Sequence, residues 1–278
     1  MTIKKLRAPI RIDFAGGTTD IEPFASRYGG AVLNAGINKY VEGELVATSK
    51  KVSLEYHANI PTSSGLGTSS VMNVIWLALI SQKNDFSKKG RIDLAEGVYK
   101  LEQSMGLIGG KQDEYAAVFG GINFLEFIDG KVKVTQLKLK KDLIKKLEDS
   151  LILVYTGEHF SGDANKMMIQ NLSKKAPILK NLSKIARDMK SALLKGDLEK
   201  FKNLMDKETE ERSKLSKKVI TPKMKKYIEK GKKLGASAKI CGSGNGGSLL
   251  FFGDKKLLKK NFKNTFEFKF DWEGLKKI

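Results

Sequence analysis

A segment rich in glycine and hydroxyl side chains, residues 61–70, is the strongest candidate for chemistry in this chain. It reads Pro-Thr-Ser-Ser-Gly-Leu-Gly-Thr-Ser-Ser and leads directly into an apolar stretch, residues 71–80. The first N–H groups of a helix lack intrahelical partners and carry partial positive charge, so a helix that begins here would attract a polyphosphate. The glycines would admit the ligand, and the hydroxyls could bind phosphate or Mg²⁺. The segment is not a Walker A loop, and a serine-rich turn that only caps a buried helix is the alternative.

A second glycine-rich segment, residues 239–250, lies near the end of the chain. Gly242, Gly244 and Gly247 satisfy the pattern G-x-G-x-x-G, but the residues that follow, Leu-Leu-Phe-Phe at 249–252, predict a strand. The dinucleotide fingerprint instead leaves a strand and opens a helix early in a βαβ unit. We therefore exclude NAD binding and expect this backbone to lie close to a ligand or to the first glycine segment.

Residues 7–20 form the third candidate segment. Apolar and charged residues alternate over positions 10–14, which predicts a half-buried strand. The chain then turns at a Gly-Gly pair and presents the Thr-Thr-Asp run at 18–20. A carboxylate beside hydroxyls suits a polyol ligand, and an ordinary hairpin turn is the alternative interpretation.

These three segments, in this order, resemble the motifs of the GHMP kinases (galactokinase, homoserine kinase, mevalonate kinase and phosphomevalonate kinase), and the resemblance covers nearly the whole chain. Residues 109–115 and 119–121 are similar to the D-glycero-D-manno-heptose 7-phosphate kinase branch of that family. The branch also shares the Gly-Gly-x-Thr-Asp form of the first motif, where galactokinases and mevalonate kinases carry Gly-Glu-His. The resemblance implies phosphoryl transfer from ATP, with Mg²⁺, to a hydroxyl of a sugar or sugar phosphate.

The resemblance also implies roles for single residues. Asp113, in a predicted glycine-rich connection, matches the residue that accepts the alcohol proton. Arg11 and Lys111 are candidates for a cation that keeps this carboxylate ionised, and Lys111 could equally bind a substrate phosphate. Ser69 and Glu102 match Mg²⁺ ligands of the family. Each of these residues has an alternative interpretation. Lys111 could be a solvated side chain, Ser69 a helix cap and Glu102 an exposed helix acid.

The remaining site predictions concern the two substrates. Residues predicted to bind ATP are Pro61, Ser63, Ser64, Gly65, Leu66, Gly67, Thr68, Ser69, Ser70 and Gly244. Residues predicted to bind the acceptor are Gly17, Thr18, Thr19, Asp20, Gly110 and Lys111. A phosphorylated acceptor would need cations besides this loop, for which Lys111 together with Arg27 or Lys39 are the candidates.

Three other functions remain open from the sequence. The chain could be a GHMP kinase for another alcohol, such as N-acetylhexosamine, inositol, pantoate or mevalonate. It could be a sensor with the GHMP fold that has lost catalysis, although the joint presence of Asp113, Ser69 and Glu102 argues against this. A basic nucleic-acid-binding protein is the third possibility, and it would bind random duplex with a steep salt dependence.

The charge is unevenly distributed. The net charge is +20, of which +17 falls in residues 140–278. Lysines concentrate in segments without a recognisable nucleic-acid module or an interleaved aromatic platform. We therefore expect a solvated lysine-rich surface that steers anionic ATP and sugar phosphate, and no specific nucleic-acid partner.

The composition limits other site types. The 278 residues include a single cysteine, Cys241, which excludes an internal disulfide and a cysteine-based zinc site. His57 and His159 lack companions at ligand spacing, so we expect no metal there. No apolar run of 18 residues and no signal-peptide pattern occurs. We expect a cytoplasmic monomer or homodimer without a membrane partner.

The elements that must position these residues divide near residue 150. In the first part, strands are predicted at 6–14, 30–34, 41–47, 52–56, 119–127 and 132–137, and helices at 68–82 and 91–105. In the second part, a strand is predicted at 151–156, helices at 162–193, 196–213 and 222–235, and then the glycine-rich strand and a terminal βα piece.

This pattern predicts an α+β fold. The resemblance implies two lobes, with an N-terminal ribosomal-protein-S5-like lobe that binds ATP (residues 1–150) and a C-terminal α/β lobe (residues 151–278). Substrate and ATP would lie in the cleft between them.

Overall fold

The computed structural model describes residues 2–61, 63–81, 85–159 and 170–278. Within them the fold is α+β, with two antiparallel sheets and nine helices. No helix in this described part is both long enough and apolar enough to cross a membrane.

The first sheet has six strands in the order β10-β1-β2-β4-β5, with β3 paired to β2. The strands are β1 (Thr2–Ala15), β2 (Gly30–Ala47), β3 (Val52–Ala58), β4 (Ile122–Ile128), β5 (Lys131–Gln136) and β10 (Lys276–Lys277).

Strand β2 corrects the prediction of two separate strands at 30–34 and 41–47. Its pairing with β1 steps from Tyr40 opposite Pro9 to Ile37 opposite Ile10, so the interval between the predicted strands is a bulge rather than a turn. Pro9 has no N–H to donate to the ladder, which favours an irregularity at this position.

Five helices accompany this sheet in the first 150 residues. They are α1 (Phe24–Tyr28), α2 (Thr68–Ile80), α3 (Lys88–Ser104), α4 (Gln112–Phe119) and α5 (Lys141–Ser150). Helix α3 begins three residues before the predicted start because the side chain of Ser87 accepts the N–H of Gly90 and caps it.

Helix α4 is the main correction to the predicted elements. Its residues were expected in a glycine-rich connection and in a strand at 119–127. Seven of its eight residues are buried, so the segment shows no polar face from which a helical period could be read. Gly120, with φ +59°, ends the helix before β4.

The second sheet has the order β7-β8-β6-β9. Its strands are β6 (Leu151–Gly157), β7 (Ser237–Ile240), β8 (Gly247–Phe252) and β9 (Thr265–Phe266). Its helices are α6 (Leu172–Lys195), α7 (Leu198–Ser213), α8 (Pro222–Lys233) and α9 (Lys255–Asn261).

The C-terminal elements follow the predictions except at the two ends. The first part of the helix predicted at 162–193 falls within 160–169, which lies outside the described residues. The predicted terminal βα piece is wrong in order, because α9 precedes β9, and β10 then pairs with β1 in the first sheet.

Two apolar clusters form the core. The larger one joins the first sheet to helices from both halves of the chain; for example, Phe14 of β1 meets Phe201 of α7 edge to face at 5.4 Å. The smaller one lies between the second sheet and α6, α8 and α9. We keep residues 1–150 and 151–278 as a proposal for the domain boundaries.

Candidate functional site

The predicted segments surround a cavity of about 380 Å³. Both glycine segments, the turn that follows β1 and the start of α4 contribute to its wall. The lining includes Arg11, Thr18, Asp20, Ser63, Ser64, Gly65, Leu66, Gly67, Thr68, Ser69, Ser70, Glu102, Gly110, Gln112, Asp113, His159, Gly242 and Ser243. The fold therefore brings most of the predicted site residues to one place.

The first glycine segment leads into α2 without a side-chain cap. Gly67 is the N-cap residue, with φ +78°, and no side chain accepts a hydrogen bond there. Ser69 is exposed on the cavity wall, so the structure does not support its alternative role as a cap. A Cβ atom on Gly67 would lie 3.0 Å from the carboxylate of Asp113. Glycine is needed here both for the backbone conformation and for this close approach.

The second glycine segment packs against the first. A Cβ on Gly242 would lie 2.9 Å from the Gly65 carbonyl oxygen, and one on Gly247 would lie 2.8 Å from that of Ser64. The hydroxyl of Ser248 donates to the same Ser64 oxygen at 3.0 Å. Residues 239–250 thus lie against the first glycine segment and continue into β8, which confirms the predicted strand and the predicted contact.

Two residues predicted to bind ATP are absent from the cavity lining. Gly244 packs on the far side of its turn, where an added Cβ would lie 2.5 Å from the Val219 carbonyl oxygen. Pro61 precedes the lining residues. His159, for which we predicted no metal role, holds the two glycine segments together. Its backbone N–H donates to Ser63 O at 2.9 Å, and its Nδ1 lies 2.6 Å from Gly244 O.

The predicted base, Asp113, lies in the first turn of α4 and is paired with Arg11 of β1. Arg11 Nε donates to Oδ1 at 2.7 Å, and Nη2 donates to Oδ2 at 3.1 Å. Arg11 Nη1 donates to Gly65 O at 2.7 Å, which ties the pair to the first glycine segment. Burial lowers the pKa of Arg11, but Asp113 and then Asp13 raise it, and the net direction is upward. The guanidinium therefore stays charged and holds the carboxylate in a fixed orientation.

Lys111, the other predicted cation, does not reach Asp113. Its ammonium donates to both carboxylate oxygens of Glu96, at 3.0 and 2.8 Å, and lies 4.7 Å from the ring centre of Tyr99. Lys111 is nearly buried and is absent from the cavity lining. The alternative interpretation, in which Lys111 is a solvated side chain, is therefore excluded as well.

The loop predicted to bind the acceptor, residues 16–20, is called the acceptor loop. Some of its residues face the cavity and others support the turn. Thr18, with φ +81°, and Asp20 line the cavity. Thr19 is buried and its hydroxyl donates to Gly16 O at 2.7 Å. Gly17 also supports the turn, since a Cβ there would lie 2.3 Å from Asp13 Oδ2.

Asp20 is a buried carboxylate held by the start of α4. Its Oδ2 accepts the N–H of Gln112 at 3.0 Å, while Oδ1 has no hydrogen-bond partner among the described residues. Burial is the main cause that raises the pKa of Asp20 to about 6. A Cβ on Gly110 would lie 2.0 Å from Oδ2, so only glycine fits beside this carboxylate.

Glu102 is buried on the last turn of α3, which excludes its alternative as an exposed helix acid. It lines the cavity and accepts a hydrogen bond from Asn73 Nδ2 at 2.8 Å. Glu114, which the sequence analysis missed, is its neighbour. Burial, and then Glu102, raise the pKa of Glu114 well above its ordinary value. The buried carboxyl of Glu114 therefore favours its protonated form more than an ordinary glutamate does. Its position next to Asp113 was the only signal in the sequence.

The donor set of the cavity fits Mg²⁺. Ser69 offers a hydroxyl and Glu102 a carboxylate, and both line the same cavity. The described residues contain no group of three metal-ligating side chains. Mg²⁺ commonly keeps several waters and takes one or two carboxylates together with substrate phosphates, so one hydroxyl and one carboxylate are enough for a nucleotide-bound Mg²⁺.

Family models agree with this geometry. The model of the GHMP kinases N terminal domain matches residues 32–121, and the model described as GHMP kinases C terminal matches residues 189–270. Together they match more than half of the chain. The chain belongs to the GHMP kinases. The match to the N-terminal domain, residues 32–121, includes the first glycine segment and the start of α2.

Individual relatives extend over nearly the full length of this GHMP kinase. The D-glycero-alpha-D-manno-heptose 7-phosphate kinase of Campylobacter jejuni is 26% identical over 98% of this chain and 98% of its own. Among solved structures, a D-glycero-D-manno-heptose 1-phosphate kinase from Bacteroides thetaiotaomicron has a TM-score of 0.77 at 23% identity and covers 100% of this chain and 99% of its own. Lactococcus lactis galactokinase complexed with galactose has a TM-score of 0.76 at 15% identity, covering 99% and 95%. These two structures establish the likeness of the fold.

Proposed function

We propose that this GHMP kinase transfers the γ-phosphate of ATP to a hydroxyl of a sugar or sugar phosphate. The observation that supports this most directly is the Arg11–Asp113 pair. It places a fixed carboxylate between the first glycine segment and the acceptor loop. Phosphoryl transfer depends on positioning and charge neutralisation, together with a group that receives the alcohol proton.

The glycine segments supply the site for the polyphosphate of ATP. The N–H groups at the start of α2 are not capped by a side chain, and the hydroxyls of Thr68, Ser69 and Ser70 lie on the same wall. Anions bind such helix starts because the N–H groups and the helix dipole both favour negative charge. Ser69 and Glu102 would hold Mg²⁺, which neutralises the phosphate charge that develops during transfer.

Asp113 acts on the acceptor. Its carboxylate receives the proton of the attacking hydroxyl, and Arg11 keeps it oriented through two hydrogen bonds. Asp20 and Thr18 bind other hydroxyls of the acceptor, since both line the cavity next to α4. A catalytically silent sensor would have no use for this arrangement, so we do not favour that alternative.

The name of the C. jejuni relative supports D-glycero-D-manno-heptose 7-phosphate as the first acceptor to test. A coupled assay of ADP release should compare this sugar phosphate with its unphosphorylated parent, N-acetylhexosamine, inositol, pantoate and mevalonate. We expect turnover with a sugar or sugar phosphate, and its loss in the Asp113→Asn variant. Turnover with mevalonate or pantoate alone would contradict the proposal.

An unphosphorylated sugar is the second candidate acceptor, and the position of Lys111 favours it. Lys111 is bound to Glu96, and neither Arg27 nor Lys39 lines the cavity. Arg11 is the only lining residue with a permanent positive charge among those described, and it already holds Asp113. Among the described residues, a phosphate on the acceptor would therefore have to draw a cation away from an existing partner.

Lys111→Met separates the two acceptors, with Lys100→Met on the exposed surface of α3 as the control. If the acceptor carries a phosphate that Lys111 binds, the variant should raise KM for the phosphorylated sugar far more than for its parent. Equal effects on both sugars would assign Lys111 to the support of α4 and favour the unphosphorylated acceptor.

A further inference from the structure

A group of four charged side chains lies completely buried behind the acceptor loop. Arg212 of α7 bonds Glu208 at 2.6 Å and lies 3.8 Å from Asp13 of β1. Lys239 of β7 lies 3.3 Å from each of the same two carboxylates. Two cations thus face two carboxylates, and the charges balance without solvent. We call these residues the buried quartet; it joins β1, α7 and β7.

The two cations of the buried quartet differ in what else they bind. Lys239 donates outside the quartet to the carbonyl oxygen of its neighbour, Ile240. Arg212 Nη2 donates to Gly17 O at 2.8 Å, and Nη1 donates to Thr18 Oγ1 at 3.0 Å and to Gly242 O at 3.4 Å. Of the two cations, Arg212 is therefore the one whose hydrogen bonds within the described part of the chain reach the cavity wall.

A guanidinium is required for this set of contacts. Arg212 makes two hydrogen bonds to Glu208 and three to the loop residues Gly17, Thr18 and Gly242, which together use its five N–H groups. To balance the charges of the buried quartet, any side chain with one positive charge would suffice at position 212. Lysine offers three donors from a single nitrogen and could not reach the same partners.

The loop that Arg212 holds needs such support. Thr18 is a β-branched residue with φ +81°, a conformation that costs free energy and persists only where the surroundings impose it. The other end of the loop is fixed separately, because Asp20 accepts the N–H of Gln112, the residue before Asp113. Arg212 and Gln112 thus hold the two ends of the turn that contributes Thr18 and Asp20 to the cavity.

We propose that Arg212 is a positioning residue that fixes the acceptor loop, residues 16–20, against the second glycine segment. The acceptor hydroxyl is then held at a fixed position relative to Asp113 and the polyphosphate. The kinetic part of this inference rests on the proposed function; the structural part, the dependence of the loop on Arg212, does not. Loss of Arg212 should affect the acceptor rather than ATP.

The test uses Arg212→Lys, which keeps the charge of the quartet and removes the fork of donors. Amide hydrogen exchange is measured in the peptide that covers residues 16–21, where Thr19 N–H bonds Gly16 O and Ile21 N–H bonds Thr18 O. We expect exchange there to rise about tenfold, as loss of one or two hydrogen bonds implies. KM for the acceptor should rise about tenfold while KM for ATP changes less than about twofold.

Lys239→Gln is the matched control, since it removes the other cation of the buried quartet and leaves the loop contacts in place. Both variants should lower the melting temperature. Only Arg212→Lys should raise exchange at residues 16–21 above the general increase and change KM for the acceptor. The same exchange pattern and the same KM change in both variants would reduce Arg212 to a structural ion-pair partner and overturn the proposal.

Thr18→Val keeps the proposal testable if Arg212→Lys does not fold. Valine preserves the β-branched shape and removes the oxygen that accepts from Arg212. Exchange at residues 16–21 should rise in this variant, and the effects of Thr18→Val and Arg212→Lys should be less than additive in the double variant. Unchanged exchange in Thr18→Val, or full additivity, would overturn the proposal. A wild type that phosphorylates no sugar would refute the proposed function, while the exchange data would still decide the role of Arg212.

Discussion

The two sides of the cavity are built in different ways. The glycine side, residues 63–70 and 242–243, contains no Lys, Arg, Asp or Glu and presents backbone and hydroxyl groups. The carboxylate side presents side chains with formal charge. These are Arg11, Asp20, Glu102 and Asp113. One side therefore depends on backbone conformation, and the other depends on how buried charges are paired.

This difference determines which changes each side tolerates. On the glycine side, an added Cβ atom meets neighbouring backbone or carboxylate atoms, as at Gly67 and Gly242. On the carboxylate side, each charge has a partner or a shifted pKa, because an unpaired charge is costly to bury. Substitutions that add volume should damage the first side, and substitutions that remove charge should damage the second.

The largest effect is expected from removal of the charge on Asp113. Asp113→Asn should lower turnover by roughly 10²–10⁴-fold, the usual contribution of a general base. ATP binding should survive, because the glycine side is unchanged. Single-turnover kinetics and ATP titration by calorimetry measure the two quantities. Near-normal turnover would remove Asp113 from the role of base.

Gly67→Ala tests the glycine side. The added methyl would lie 3.0 Å from the Asp113 carboxylate at a backbone φ of +78°, so we expect ATP affinity to fall at least about tenfold. Gly106→Ala is the matched control, since Gly106 has φ +74° and no atom within 4 Å of an added Cβ. It should cost about 1 kcal/mol of stability and leave ATP affinity unchanged. Equal ATP affinity in the two variants would place the nucleotide elsewhere.

The pH dependence of stability tests the burial of Asp20. The pKa of Asp20 is about 6 in the folded state, against 3.8 for an ordinary aspartate. The folded protein therefore binds this proton more tightly than the unfolded chain does. The resulting stability is fully present below pH 3.8 and is lost as the pH rises through 6. Relative to Asp20→Asn, the wild type should therefore lose up to about 3 kcal/mol of unfolding free energy between pH 4 and pH 7. Urea unfolding of both proteins measures this; a difference that does not vary with pH would contradict the burial of a titrating carboxyl.

The smallest effect is expected where the two sides share one ion. Ser69→Ala and Glu102→Gln should each raise the Mg²⁺ concentration for half-maximal rate, by about tenfold or less, because each removes one proposed ligand. Turnover at saturating Mg²⁺ serves as the internal control. If neither Mg²⁺ titration shifts, Ser69 and Glu102 do not hold the ion.

The sequence was informative where function depends on short-range patterns. The glycine segments, the turn after β1 and helix α2 could be predicted because glycine, hydroxyl and apolar patterns act within a few residues of each other. Helix α4 was missed because nearly all of its residues are buried, so it has no alternation between polar and apolar faces. The bulge in β2 was missed because it is set by pairing with Pro9 on another strand.

The membership of the chain in the GHMP kinases and the positions of its glycine segments could be read from local residue patterns. The partners of its charged residues could not. Arg11 and Asp113 are 102 residues apart, and Arg212 reaches Thr18 across 194 residues. Lys111 lies two residues from Asp113 and nevertheless binds Glu96. Backbone conformation responds to near neighbours along the chain, whereas the partner of a buried charge depends on which elements the core packs together, and only the tertiary structure decides that.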